Sequence, residues 1–290
     1  MRDFSAERDE VLQHFQEGFE HDLVQAAFDN LNFPSKLRPS NFGYALRHVL
    51  DVFLKRIAPT DRVVAAAWYE NYHREPVENP GYISHKQRMH YGLCKGLLLT
   101  HEAIVDLELD ELLKEFRGKR DKLNHLTHLR AGYFNLDARE QDDLVAEIVD
   151  TLLNYLDSFE DVIREVEESV EGSVADEVFG EYVTGYDDQL SIISNSYEIG
   201  YVDVDKKKLL RIDEDEVTFM VSGEVSVTQN LGPSRDSVSV SGDYPFFCEI
   251  SFSCAGERWG RGEISNLTTD TDSWFGIDDD DSGEEEIAHD

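Results

Sequence analysis

Near residue 186 the spacing of apolar residues changes from about four to two, and no single run of helix or strand satisfies both periods. The chain is therefore read as two architectures in series. Before the change, Val11, Phe15, Phe19, Leu23, Ala26 and Leu31 predict one long amphipathic helix over 5–31, broken by the stretch from Phe33-Pro34 to Pro39. Ser40 is the expected N-cap of the next helix, whose stripe Leu46, Val49, Leu50, Phe53, Leu54 and Ile57 runs to Pro59. A short helix is expected over 61–72 and a loop over 73–83. Further helices are expected over about 85–97, capped by Ser84, and about 108–130, where Gly118 is a candidate break. Asp137 opens a long helix with Leu144, Ile148, Leu152, Leu156, Phe159, Ile163 and Val166 on one stripe, ending near Ser169 to Gly172.

After the change, Val217, Phe219 and Val221 alternate with polar residues, Ser222-Gly223 reads as a turn, and Val225 and Val227 resume the alternation. Val238, Val240, Phe246, Cys248, Ile250 and Phe252 extend the β pattern, punctuated by Gly232-Pro233 and by Gly242 to Pro245. The expected fold class is thus α+β in two domains, an all-α bundle over 1–175 and a small all-β sandwich or barrel over 186–276. Residues 277–290 hold too little apolar surface to fold and predict a disordered acidic tail.

Charge bears on the partner. Asp and Glu number 61 against 27 Lys and Arg, a net −34, which is the surface of a salt-adapted protein of the kind halophilic archaea carry. In molar salt the Debye length falls to ~3 Å, so this excess reports habitat before function. Its distribution is the informative part. Residues 36–130 contain 16 Lys and Arg, 12 Asp and Glu, and seven of the ten histidines, a local balance of +4 that suits a polyanion. Three cysteines without a CxxC pair argue against a disulfide framework or a cysteine zinc site. With no apolar leader in Met-Arg-Asp-Phe-Ser-Ala-Glu and no apolar stretch of roughly 18 residues, a cytoplasmic protein without a membrane partner is expected.

Within 116–130, Arg120 and His125 stand in the spacing Arg-x4-His with Asp121 directly after the arginine, and Arg8 and His14 stand in the similar spacing Arg-x5-His in weaker context. Arg120 also falls on the apolar line Leu109, Leu113, Phe116, where a charge needs a reason. Either it pairs with a carboxylate such as Asp121 or Glu115, or its helix meets a cleft or partner in which the planar guanidinium binds phosphate. The pattern resembles the Arg-x4–6-His motif of HEPN-superfamily ribonucleases. Leu-Val-x3-Ile-Val-x2-Leu-Leu-x2-Leu at 144–156 and Asn41-Phe-Gly-Tyr-Ala-Leu-Arg-His-Val-Leu resemble helices of the same superfamily.

Pro39-Ser-Asn-Phe-Gly-Tyr-Ala-Leu-Arg, Trp68-Tyr, Lys86-Gln-Arg-Met-His-Tyr-Gly-Leu, Leu126-Thr-His128 and Asp243-Tyr-Pro-Phe-Phe-Cys-Glu are similar to predicted nucleases associated with prokaryotic PIWI-like defence proteins. The resemblance spans roughly 36–254. It implies a HEPN-like helical nuclease in antiviral or anti-plasmid defence, with a PIWI-like protein and a helicase as partners.

The catalytic candidates are Arg120, His125, His128 and Asp121, with the choice of base between His125 and His128 left open. In a metal-independent ribonuclease a histidine takes the 2′-OH proton and Arg120 holds charge on the phosphate, with no cofactor; a homodimer partner would complete the site. Arg47, His48, Lys86, Arg88, Lys119 and Lys122 are the nucleic-acid-binding candidates, RNA being the favoured partner. Tyr44, Tyr69 and Tyr91 are either stacking platforms for single strands or core, core being the expectation for Tyr44, Trp68 and Tyr91. Two other readings stand beside this one. Asp121, His125 and His128 form a rival metal-binding set, and the whole chain is alternatively a non-catalytic interaction module with a dimerising bundle.

Overall fold

The computed structural model describes residues 2–70, 83–128, 131–185, 187–194, 196–233 and 236–275. The acidic tail expected over 277–290 and most of the loop expected over 73–83 lie outside these residues. Two units form, the first holding Met1–Glu168 with Asp213–Asp215 and Cys254–Arg258, the second holding Ser169–Ile212, Glu216–Ser253 and the chain from Trp259 onward.

The first unit begins with two helices where the apolar spacing predicted one, α1 (Ser5–Leu12) and α2 (Phe19–Asp29). Gly18 breaks the run with φ +88°, a left-handed conformation that glycine enters without strain. The break lets Phe15 turn onto Phe53 with ring centroids 4.7 Å apart, while Phe19 stays exposed. α3 (Arg38–Ile57) starts two residues before the expected Ser40 cap, with Leu37 at the N-cap position. Pro39 sits in the first turn, where an N–H has no helical partner, so it starts this helix and does not break it.

α4 (Thr60–Ala65) is followed by α5 (His85–Cys94), whose cap is as the sequence indicates. Ser84 accepts from the Gln87 amide while Gln87 accepts from Ser84 N, a closed capping box. α6 (Leu109–Thr127) passes through Gly118 unbroken, and α7 (Ala131–Phe134) leads to α8 (Ala138–Ser169). Asp137 accepts from the amides of Arg139 and Glu140, and Glu140 accepts from Asp137 N at 2.8 Å, a second reciprocal cap. The core of this unit centres on Tyr155, stacked on Phe116 at 4.2 Å and donating to the Met89 carbonyl. Among the described residues no helix is long and apolar enough to cross a membrane, and all three cysteines are buried free thiols.

The second unit carries α9 (Glu171–Thr184) and α10 (Asp188–Ile193) before its sheet, helices that lack the long apolar stripe of α8. The sheet is a single antiparallel meander of β1 (Tyr197–Ile212), β2 (Glu216–Leu231), β3 (Val238–Ser253) and β4 (Gly262–Thr269), in place of the expected sandwich or barrel. One face is covered by α9, whose buried Val174, Val178 and Tyr182 recur every four residues, with Tyr182 edge-on to Phe246 at 6.2 Å. Ser222-Gly223 is not a turn: β2 runs straight through it, with Gly223 opposite Val204. A Cβ at Gly223 would fall 1.9 Å from the Asp203 carbonyl oxygen, so glycine is required there by close approach of the neighbouring strand. Pro245 likewise lies inside β3, its carbonyl accepting from Asp270 N where the ladder to β4 ends. Its missing donor faces that same side, so the ladder to β2 loses no bond.

Candidate active site

α3 and α6 run antiparallel and close together because Gly43 presents no side chain. A Cβ there would meet Leu126 at 3.2 Å and Leu123 at 3.5 Å. Two turns along α3 from Gly43, Asp51 comes opposite Arg120 on α6. The Arg120 side chain is 7% exposed, and its Nη2 donates to Asp51 Oδ1 at 3.0 Å and to His85 Nε2 at 2.7 Å. This answers why a charge sits on the apolar line of α6. Its carboxylate is Asp51, 69 residues away in sequence, and not the adjacent Asp121 or Glu115.

His85 is the first residue of α5, held at the surface by the Ser84 cap, with its side chain 47% exposed. Arginine can only donate, so Nε2 is the acceptor and the ring is the neutral tautomer protonated on Nδ1. That Nδ1 lies 4.0 Å from Asp51 Oδ1. Partial burial and then the Arg120 charge push the His85 pKa below its ordinary value, the nearby Arg88 and Arg47 add to this, and Asp51 opposes it. The imidazole is thus kept neutral and basic beside a buried guanidinium.

Two polar atoms at this place have no partner among the described residues. Arg120 Nε is a buried donor without an acceptor, and Asn124 Oδ1, one turn further along α6, is a buried acceptor without a donor. Unmet buried groups of this kind cost about 1–3 kcal/mol each.

The remaining predicted residues are dispersed. Arg47 stands one turn before Asp51 on α3, close enough to act on His85, and has no carboxylate partner among the described residues. His48 is exposed and packs edge-on against Tyr44, which is itself exposed and not core as expected. Tyr91 is buried, and Trp68 is half-buried, stacked on His90 at 4.0 Å. Arg88 donates to the Ala58 carbonyl and to Thr60 Oγ1, tying α5 to the end of α3. Lys86 faces Asp110 at 3.8 Å, and Lys119 and Lys122 both donate to Glu147 on α8, whose carboxyl they hold below the usual range.

His125, His128 and Asp121 are exposed and make no side-chain hydrogen bond or ion pair with Arg120 among the described residues. Five positions along a helix carry His125 about 140° around the axis from Arg120. The rival metal set of Asp121, His125 and His128 is not assembled: no three His, Cys, Asp or Glu converge among the described residues. The residues that sequence reasoning missed are Asp51 and His85. The one signal for them was Arg120 itself, since a guanidinium on an apolar stripe requires an opposing acceptor.

Two family models, each described as predicted pPIWI-associating nuclease, match the chain over residues 12–162 and 159–275. No curated protein and no solved structure matches it.

Proposed function

The chain belongs to the predicted pPIWI-associating nuclease family, and from that premise we propose that its helical unit cleaves RNA at the place where Arg120, His85 and Asp51 meet. The observation that carries this reading is the buried Arg120 guanidinium donating to a neutral, surface-facing imidazole. A scissile phosphate competes for the Arg120 donors. Once Arg120 turns to the phosphate oxygens, the His85 Nε2 lone pair is released to take a proton from the ribose 2′-OH. The 2′-oxygen bonds to phosphorus, the bond from phosphorus to the 5′-oxygen breaks, and that oxygen takes a proton from water or from a histidine of a second copy of the chain. Asp51 faces the Nδ1 side of His85 and stabilises the imidazolium that forms. Such a reaction draws on the 2′-OH and on no metal, so RNA is the substrate and DNA is not.

The family description supports association with a PIWI-like protein; we propose with it a helicase partner, a role in antiviral or anti-plasmid defence in the cytoplasm of a salt-adapted cell, and a homodimer as the working form. The test is cleavage of labelled RNA and DNA in high salt with EDTA present. Wild type should cut RNA alone, and His85→Ala should lower the rate ~10²–10⁴-fold. Equal rates in the two proteins, or loss of cutting on adding EDTA, would sink the metal-independent site.

A further inference from the structure

Among the described residues, α3 exposes an aromatic side chain two turns before Asp51. Tyr44 is 59% exposed on α3, although Phe42 and Phe53 of the same helix are buried. His48, one turn on, packs against its ring at 4.8 Å and 73°, a contact that leaves Tyr44 more than half exposed. Arg47 lies between Tyr44 and Asp51 on this face, half-buried and without a carboxylate partner among the described residues, in a chain with 61 acidic residues. A lone cation against such a background is complementary to an anion, and a flat ring next to it is complementary to a base.

We propose that Tyr44, with His48 behind it and Arg47 beside it, is a base-stacking subsite for single-stranded nucleic acid, taking the nucleotide next to the phosphate bound at Arg120. The proposal rests on the nuclease reading for its phosphate position. Seven residues separate Tyr44 from Asp51, a rise of about 10 Å, so a base on Tyr44 adjoins a phosphate at the Arg47 and Arg120 end. Stacking is tolerant of sequence because every base offers a π-face, and Arg47 binds the backbone. In a duplex the bases stack on each other, which leaves Tyr44 nothing to hold. Single strands are therefore selected over paired ones by the same contact.

The test is binding, kept separate from cleavage. A short fluorescein-labelled 2′-O-methyl RNA, which lacks the attacking hydroxyl, is titrated as a single strand and as a duplex, reading anisotropy. Tyr44→Ala should weaken single-strand binding about 10-fold, Tyr44→Phe should stay within about 2-fold of wild type, and the weaker duplex binding should not move. The subsite is overturned if wild type binds neither form, if Tyr44→Ala binds the single strand as tightly as wild type, if both forms weaken equally, or if the variant differs from wild type only in sedimentation. Cleavage of unmodified RNA in the same samples separates the two ideas. Tyr44-dependent binding without cleavage leaves the subsite and removes the catalytic reading. Cleavage with Tyr44-independent binding does the reverse.

Discussion

Arg120 Nη2 lies 2.7 Å from His85 Nε2, which makes the arginine at once the probe of the imidazole's protonation state and the cause of part of it. The His85 pKa is lowered first by burial and then by Arg120, and raised by Asp51. Removing Asp51 therefore moves it further down, and removing Arg120 moves it up towards 6.5. Proton NMR titration of the His85 ring should show wild type titrating below 6.5, Asp51→Asn lower still, and Arg120→Gln higher than wild type. In cleavage assays the acid limb should lie below pH 6.5, since the base works only when neutral. A shift of the same sign in both variants would contradict the arrangement.

Arg38 and Asp142 make a second charged pair, with Arg38 1% exposed and Asp142 14% exposed. Breaking a buried pair strands the surviving charge away from water, at a cost of about 3–5 kcal/mol. Asp142→Ala should therefore lower stability by that amount in denaturant unfolding. The half-exposed pair of Arg164 and Asp161 is the control, because exposed pairs contribute about 0–1 kcal/mol. Equal losses on disrupting either pair would show that Arg38 is not held as described.

Much of the fold was legible because its signals are local. The α3 stripe, the Ser84 capping box and the Asp137 helix start each lie within a few residues of sequence. What was misread was familiar local chemistry put to another use. Ser222-Gly223 has turn chemistry, yet Gly223 is there because β1 passes too close for a Cβ. Pro39 has breaker chemistry, yet its place in a first helical turn makes it an initiator. The site was half legible: Arg120 stood out on its stripe, whereas His85 and Asp51 reach it across 35 and 69 residues and leave no spacing to read.

Two glycines give opposite expectations. Gly118 lies inside α6 with nothing within 4 Å of a Cβ, so Gly118→Ala should stabilise the protein by about 1 kcal/mol through helix propensity. Gly223→Ala puts a methyl 1.9 Å from a carbonyl oxygen and should destabilise by about 1–3 kcal/mol or more. Thermal melts of the two variants should move in opposite directions from wild type. A Gly223→Ala protein as stable as wild type would mean that β1 does not pass where the structure places it.

Acid stability should depend on His90. Its ring is stacked on Trp68 and donates from Nε2 to the Leu97 carbonyl at 3.1 Å, and burial pushes its pKa down to about 4 from an ordinary 6.5. Below 6.5 the unfolded chain takes up a proton that the folded ring refuses, so the unfolded state binds more protons and stability rises with pH. The contribution is fully present above 6.5 and is lost as pH falls towards 4, by about 3 kcal/mol in all and by about 1.5 kcal/mol between pH 6.5 and 5. Carboxylates titrate below most of that upper window, which leaves it to histidines, and His85 and His101 are also shifted down. His90→Phe keeps a ring against Trp68 and removes the titrating group. Guanidinium unfolding at a series of pH values should therefore give a shallower slope between 6.5 and 5 for the variant, although its stability at pH 8 is lower for want of the Leu97 hydrogen bond. An unchanged slope would show that His90 is not the group that refuses the proton.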